Sequence, residues 1–291
     1  MIERIAVIGA GTMGNGIAHS LAVAGFMVTL VDAAGEGLSR GMATIEANLQ
    51  AGVERGKISA DEARAARARI TPSTQSASAA DAQLVIEAVP EDLGLKHLVF
   101  GELENVCKPD AVFATNTSAL SITEIASAIK SPERVIGMHY FNPAHIMRLV
   151  EIVRGLETSQ RAVDVALEVA TRSGKETVLI NEAPGFATSR INAMIGNEAF
   201  YMLQEGVASA RDIDKALKLG LNHPMGPFEM IDLVGLDTRL KVLEYLHESL
   251  GEKFRPCPLL VKYVKAGRLG RKVGRGVYEY PKEVAPSNTS T

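Results

Sequence analysis

His139 closes the apolar run Val135-Ile-Gly-Met-His, and Glu151 lies inside another, Leu149-Val-Glu-Ile-Val153. A carboxylate flanked by apolar residues on both sides is expected to be partly buried, and a buried charge needs a partner. The connection between the two runs is short and passes through Asn142-Pro143, so the two side chains can sit next to each other. A carboxylate beside an imidazole fixes its tautomer and stabilises the imidazolium, the usual support of a general base. The same pairing would also serve as a plain ion pair tying two strands together. Ser118 is a further candidate, in Thr115-Asn-Thr-Ser118 after the run Ala111-Val-Phe-Ala-Thr. At the carboxyl end of a parallel strand, where ligands of such sheets bind, its hydroxyl is placed to meet a substrate oxygen; loop capping is the alternative.

Gly9-Ala-Gly-Thr-Met-Gly14 has the spacing G-x-G-x-x-G. It follows a strand-like run, Ile5-Ala-Val-Ile8, and opens a helical segment. Asp32 ends the next apolar run, close to the spacing of about 20 residues expected of an acidic partner. Gly9 permits the tight turn, Gly11 lets the backbone approach a pyrophosphate, and Gly14 lets helix and strand pack closely. Thr12 and Met13 fall in the first helical turn, whose positive end favours an anion. Asp32 would accept both ribose hydroxyls of NAD and repel the extra phosphate of NADP. With a dinucleotide beside it, the histidine–glutamate pair gains a task, since oxidising an alcohol with NAD requires a base for the hydroxyl proton.

These residues need a scaffold, and the pattern supplies one. Strands are expected at Ile5–Ile8, Phe26–Val31, within Asp81–Val89, at Ala111–Thr115, Arg134–His139, Arg148–Val153 and Thr177–Ile180. Helices are expected over Met13–Ala24, through residues 35–70 with a break near Gly52–Ser59, over Leu93–Val106, Ser121–Ile129 and Gln160–Ser173. Ser121 and Glu124 are spaced for a capping box. After Ala183-Pro184-Gly185 the strand-like runs stop. Helices follow over Ser189–Gly206, Asp212–Leu219, Pro227–Leu250 and Pro258–Ala266. This predicts an α/β domain with a mostly parallel sheet over residues 1–183 and an all-helical domain over 184–291. The polar segment Pro281–Thr291 is expected to fray.

Composition narrows the setting. The 291 residues are 46% hydrophobic and 22% charged, with a net charge of −3. That balance gives no reason to expect nucleic acid or an anionic membrane as a partner. No apolar run is long enough to span a bilayer. The first strand starts almost at Met1, leaving no room for a leader. Cys107 and Cys257 form no metal-ligand pattern and no disulfide framework, which fits a reducing compartment such as the cytoplasm. The patterns Asn116-Thr-Ser118 and Asn288-Thr-Ser290 match glycosylation acceptors, but carry no weight without a secretory signal.

The chain resembles the 3-hydroxyacyl-CoA dehydrogenase family over nearly its full length. The matching segments run in order: Ile8–Gly14, Val85-Ile-Glu-Ala-Val-Pro-Glu91 with Lys96, Thr115–Ser118, Gly137-Met-His-Tyr-Phe-Asn-Pro143 and Leu149–Glu151. In the helical half come Pro184-Gly-Phe186, Asn222-His-Pro-Met-Gly-Pro227, Asp232–Asp237 and Leu269-Gly-Arg-Lys272. The resemblance implies a Rossmann-like NAD-binding domain and a helical domain that contributes to the substrate site and forms a homodimer. It implies reversible oxidation of an (S)-3-hydroxyacyl-CoA to the 3-oxoacyl-CoA. His139 is then the base, Glu151 its orienting partner, Ser118 a hydrogen-bonder near the reacting oxygen, and Asn142 a residue at substrate and nicotinamide. Glu91, Lys96, Ser118 and Lys272 match positions near NAD. CoA contacts fall on the helices after Asp32, where Asn48 and Arg55 stand. The family commonly has Asn where this chain has Ser189, which keeps one hydrogen-bond donor toward the substrate.

Two other readings remain at the level of sequence. A relative acting on a non-CoA hydroxy acid or on carnitine would use the same pair. A nucleotide-binding protein without chemistry would need neither His139 nor Glu151. Lys262, Lys265, Arg268, Arg271, Lys272 and Arg275 suit a phosphate-rich substrate, or equally a solvated charged face.

Overall fold

The computed structural model describes residues 1–281 and divides into two compact units, Met1–Phe186 and Ala187–Thr291. The first unit contains an eight-stranded sheet of order β3-β2-β1-β4-β5-β6-β7-β8. Its strands are β1 (Arg4–Ile8), β2 (Met27–Val31), β3 (Ile70–Ser73), β4 (Leu84–Glu87), β5 (Val112–Thr115), β6 (Val135–Tyr140), β7 (Leu149–Arg154) and β8 (Glu176–Asn181). Strands β1 to β6 are mutually parallel; β7 runs antiparallel to β6, and β8 follows the direction of β7. This is the mostly parallel α/β sheet that the pattern of runs predicts.

Helices cover both faces because the central strands are apolar on both. Strand β4 and strand β5 are buried at every position. On one face, α1 (Thr12–Val23), α2 (Gly35–Glu54) and α6 (Gln160–Arg172) bury Ile17, Leu21, Ile45, Val163 and Val169 against Val7, Ile86 and Ile152. On the other, α4 (Leu93–Val106) and α5 (Ile122–Ala126) bury Phe100, Leu103 and Ile125 against Val85, Phe113 and Val153. His139 and Glu151 alternate with Met138, Tyr140, Val150 and Ile152, so their side chains point to the second face.

Three local readings change. Strand β3 lies at the end of what the sequence presents as a helical stretch. It has one buried residue and contains Pro72, which an edge strand tolerates because no further strand needs its missing N–H. The helix α3 (Ala60–Ala68) ends just before it and begins with a full capping box between Ser59 and Glu62. At α5, Ser121 accepts from the Glu124 N–H, which is half of the expected box. The expected helix over Pro227–Leu250 is two helices, α9 (Pro227–Val234) and α10 (Leu236–Leu250). They break at Gly235, whose φ of 107° lies outside what side-chain-bearing residues adopt readily.

The second unit contains α7 (Thr188–Gln204), α8 (Ala210–Gly220), α9, α10 and α11 (Pro258–Lys265) around Phe200, Phe228, Leu243 and Phe254. Two isolated bridges, Gly270 with Arg275 and Arg275 with Glu279, are its only β pairing among the described residues. Asp214 is 2% exposed and accepts from the N–H groups of Phe228 and Glu229 at the start of α9 and from the Tyr278 hydroxyl. A Cβ at Gly226 would lie 2.3 Å from the Asp214 carboxyl carbon, which explains the glycine before Pro227. The expected C-terminal fraying, from residue 282 onward, and Asn288-Thr-Ser290 lie outside the described residues. No described helix is long and apolar enough to cross a membrane.

On α1, His19 is buried and stacked on His145, with ring centroids 4.9 Å apart. Burial first, then the charges of His145 and Lys175, pull its pKa from 6.5 to about 4. Between those values the unfolded chain binds a proton that the fold refuses. Stability is therefore complete above about 6.5 and falls as the pH drops toward 4. This group alone should cost roughly 2 kcal/mol between about pH 7 and pH 5. Urea unfolding at both pH values should show a shallower loss for His19→Gln than for the unchanged chain. Equal losses would assign the acid sensitivity to other groups.

Candidate active site

The register of the sheet brings the site together. Ile8 pairs with Glu87, Glu87 with Thr115, and Thr115 with Gly137. The glycine turn after β1, the loop after β4 and the loop after β5 therefore leave the sheet at one edge, and β6 carries His139 beyond it. This is the carboxyl edge of a parallel sheet, where every strand end presents a loop rather than a continuing strand.

At that edge a cleft of about 880 Å³ is lined by Gly9, Gly11, Thr12, Met13, Asp32, Thr74, Ala88, Val89 and neighbouring residues. Gly9 has φ 97°, and a Cβ there would press to 2.7 Å from the Ala88 carbonyl oxygen. A Cβ on Gly14 would overlap the Gly9 carbonyl at 1.7 Å, so the helix sits directly on the turn. Gly11 has nothing within 4 Å of where its Cβ would be. Its bare backbone faces open space, and the N-terminus of α1 has no side-chain cap. The first-turn N–H groups are thus left for an anion. Asp32 accepts from the Ala10 N–H at 2.8 Å and the Ala34 N–H at 2.9 Å, which orients its carboxylate at the end of β2. The residues fit a dinucleotide: an open cradle for the pyrophosphate and a carboxylate for a ribose. Asp32 and Glu102 are the charged residues lining the cleft, and both are acidic.

His139 and Glu151 are direct cross-strand partners in β6 and β7. Nδ1 of His139 lies 2.7 Å from Oε2 of Glu151. Glu151 is 0% exposed and His139 5%. A carboxylate only accepts, so Nδ1 is the donor in this bond and Nε2 is left for another partner. Phe141 and Phe186 lie against the imidazole, with centroids 4.5 and 5.7 Å away. They fix the ring plane and shield the pair from water. Phe186 takes φ 50°, unusual for a side chain of its size, directly after Gly185 at φ 74°.

The other expected residues fall in three places. Ser118 is exposed on the loop after β5, and its N–H donates to Glu91 at 2.9 Å. Asn142 is exposed after β6, preceding a cis bond to Pro143. Asn116, not singled out in the sequence, ties these loops by accepting from the Tyr140 N–H at 2.9 Å. Lys96 is 1% exposed under the loop after β4, bonded to Glu87, rather than among the residues lining the cleft. Glu87 also went unselected, although it carries the same signal as Glu151, a carboxylate in an apolar run. Ser189 lies in the first turn of α7, and Lys272 is paired with Asp237 at 2.6 Å, both within the helical unit. Of the basic C-terminal residues, Arg268, Arg271, Lys272 and Arg275 have partners within that unit, which weakens a free basic face.

An added 2′-phosphate would face Asp32 with no basic residue in the cleft lining. NADPH should bind the unchanged chain at least about tenfold more weakly than NADH, equivalent to ~1.4 kcal/mol. Asp32→Ala should weaken NADH and narrow the gap. Fluorescence titration showing equal affinity for both cofactors would refute this role.

Residues 4–183 match the family described as 3-hydroxyacyl-CoA dehydrogenase, NAD binding domain, and residues 185–280 the corresponding C-terminal domain. The probable 3-hydroxybutyryl-CoA dehydrogenase of Bacillus subtilis is 45% identical over 285 residues, covering 98% of this chain and 99% of that one. The 3-hydroxybutyryl-CoA dehydrogenase of Bradyrhizobium diazoefficiens is 46% identical over 281 residues, 96% of each chain. The crystal structure of the (S)-3-hydroxybutyryl-CoA dehydrogenase of Ralstonia eutropha superposes with a TM-score of 0.94 at 40% identity, covering 97% of this chain and 100% of that one. With both halves matched and a cleft built for NAD, the chain belongs to the 3-hydroxyacyl-CoA dehydrogenase family.

Proposed function

We propose that this NAD-dependent dehydrogenase interconverts (S)-3-hydroxybutyryl-CoA, or a near homologue, and the 3-oxoacyl-CoA, with His139 as general acid–base. The observation that carries the reading is the buried 2.7 Å bond from His139 to Glu151 at the edge of the sheet that holds the dinucleotide cleft. The short-chain substrate is supported by the relatives of Bacillus subtilis and Bradyrhizobium diazoefficiens, which carry 3-hydroxybutyryl-CoA in their names.

NAD bound in the cleft supplies the acceptor for the hydride leaving C3 of the substrate. Nε2 of His139 takes the proton of the 3-hydroxyl in oxidation and returns it in reduction. Glu151, fixed on Nδ1, stabilises the imidazolium formed on the way. Ser118 and Asn142 orient the reacting oxygen, and Ser189 donates one hydrogen bond to the acyl-CoA. Gly9, Gly11, Thr12, Met13, Gly14 and Asp32 hold the dinucleotide, with Glu91 beside it. The helical unit contributes to substrate binding and to a homodimer. Support for that surface comes from the exposed apolar side chains of Val207, Leu219 and Leu221 in this unit.

His139→Gln should lose about 100- to 10,000-fold in turnover of acetoacetyl-CoA with NADH while keeping NADH affinity. Glu151→Gln should also slow turnover, and the double variant should be little worse than His139→Gln, because the two act as one unit. A folded His139→Gln enzyme within about threefold of the original would reduce the pair to a strut between strands. Free acetoacetate, assayed in parallel, should be a far poorer substrate; equal efficiency would point to a non-CoA hydroxy acid.

Ser189→Ala should raise the barrier by about 0.5–1.5 kcal/mol, the net worth of a neutral hydrogen bond, and Ser189→Asn should be tolerated. Identical kcat/KM for the alanine variant across acyl chain lengths would make the position purely structural.

A further inference from the structure

Next to the cleft-lining residues Ala88 and Val89 lies a chain of three charges, buried at Glu87 and Lys96 and 42% exposed at Glu91, of which the proposed chemistry leaves Glu87 without a task. Glu87 ends β4 with 0% exposure. Its Oε1 accepts from the Val89 N–H at 2.7 Å and from Lys96 Nζ at 2.8 Å. Its Oε2 accepts from Lys96 Nζ at 2.9 Å and from the Thr115 hydroxyl at 2.7 Å. Lys96 is itself 1% exposed, and its Nζ lies 3.5 Å from Oε2 of Glu91. Glu91 then reaches across to the loop after β5. Its Oε1 accepts from the Thr117 hydroxyl at 2.5 Å, the Ser118 N–H at 2.9 Å and the Ala119 N–H at 3.3 Å.

Two carboxylates thus share one ammonium that water does not reach. A lone buried ammonium, or two carboxylates facing each other without it, would be strongly disfavoured, so the three groups hold one another in place. The arrangement joins the loops after β4 and β5, and its far end grips the backbone of Ser118. The conformation of that serine is therefore set from the ends of two strands as well as by its own loop, where the Thr117 hydroxyl accepts from the Ala119 and Leu120 N–H groups.

We infer that Glu87 is a positioning residue for the dehydrogenase reaction: through Lys96 and Glu91 it fixes the backbone that presents the Ser118 hydroxyl. The inference rests on the reading that Ser118 meets the reacting oxygen. Glu87→Gln keeps the shape but turns an amide donor toward Lys96 or Thr115, which already donate there. The ammonium then loses its bidentate anchor, and Glu91 its fixed counterion.

The experiment is a double-mutant cycle between Glu87→Gln and Ser118→Ala, read as kcat for acetoacetyl-CoA and as NADH affinity. Each single variant should lower kcat about five- to tenfold, the scale of one hydrogen bond to the transition state. NADH affinity should fall less than kcat does, because the glycine turn and Asp32 are untouched while Glu91 and Ser118 lie beside the cofactor. The double variant should fall no more than about twofold below the slower single, since Glu87 acts through Ser118. If Glu87→Gln proves too unstable to purify, Thr115→Val removes one donor to the same carboxylate, together with a long 3.3 Å acceptor for the Thr117 N–H, without a change of shape. It should show the same lack of additivity with a smaller loss. Losses that multiply, or a slowed Ser118→Ala enzyme beside an unaffected Glu87→Gln one, would overturn the inference alone. An unaffected Ser118→Ala enzyme would overturn the reading of Ser118, and the inference with it.

Discussion

The buried carboxylate of Glu151 constrains the rest of the site. A charge with no exposure to water is tolerable only where a hydrogen-bonding partner is built in beside it. The reversal of β7 against β6 provides that partner, because antiparallel pairing sets His139 directly opposite Glu151. A register shift of one residue would turn one of the two side chains to the opposite face, among Met138, Tyr140 and Val150. The requirement to satisfy one carboxylate therefore fixes the register of two strands and the tautomer of the imidazole. It also fixes the direction in which Nε2 points.

The dinucleotide side of the site works by subtraction. Gly9 and Gly14 are glycines because helix and turn touch there, with no room for a Cβ. Gly11 is open, and no packing contact requires its lack of a side chain. The neighbouring loops are held by charge. Glu87, Lys96 and Glu91 form a line of alternating sign beneath them. One edge of the sheet thus carries two buried carboxylates with different tasks, one supporting an imidazole and one supporting an ammonium.

Much of the helical unit's sequence signature has a mechanical explanation. Asp214 and Asp232 are nearly inaccessible and accept from backbone N–H groups and tyrosine hydroxyls. Gly226, Gly235 and Gly270 stand where a Cβ would collide with these aspartates, with Asp237 or with the backbone. Burial raises the pKa of Asp214, so its network of donors offsets an unfavourable setting. The segments around Asn222–Pro227 and Asp232–Asp237 therefore hold this unit together, whatever else they do.

The sequence by itself determined the α/β half followed by a helical half, the glycine turn with its acidic partner, and the expectation that Glu151 must be buried and paired. These follow from local chemistry: apolar periodicity, backbone freedom at glycine, and the cost of an unpartnered charge. The edge strand β3 was not legible, because a strand with one buried residue and a proline carries no alternating pattern. Nor was the break at Gly235, since a glycine within an amphipathic stretch reads as tolerable until its φ is known. The burial of Lys96 and its capture by Glu87 were decided only in the tertiary structure. A lysine on a helix facing the solvent and one folded beneath a loop have the same local sequence. What separates them is which strand ends lie level with each other, and that is a property of the whole sheet.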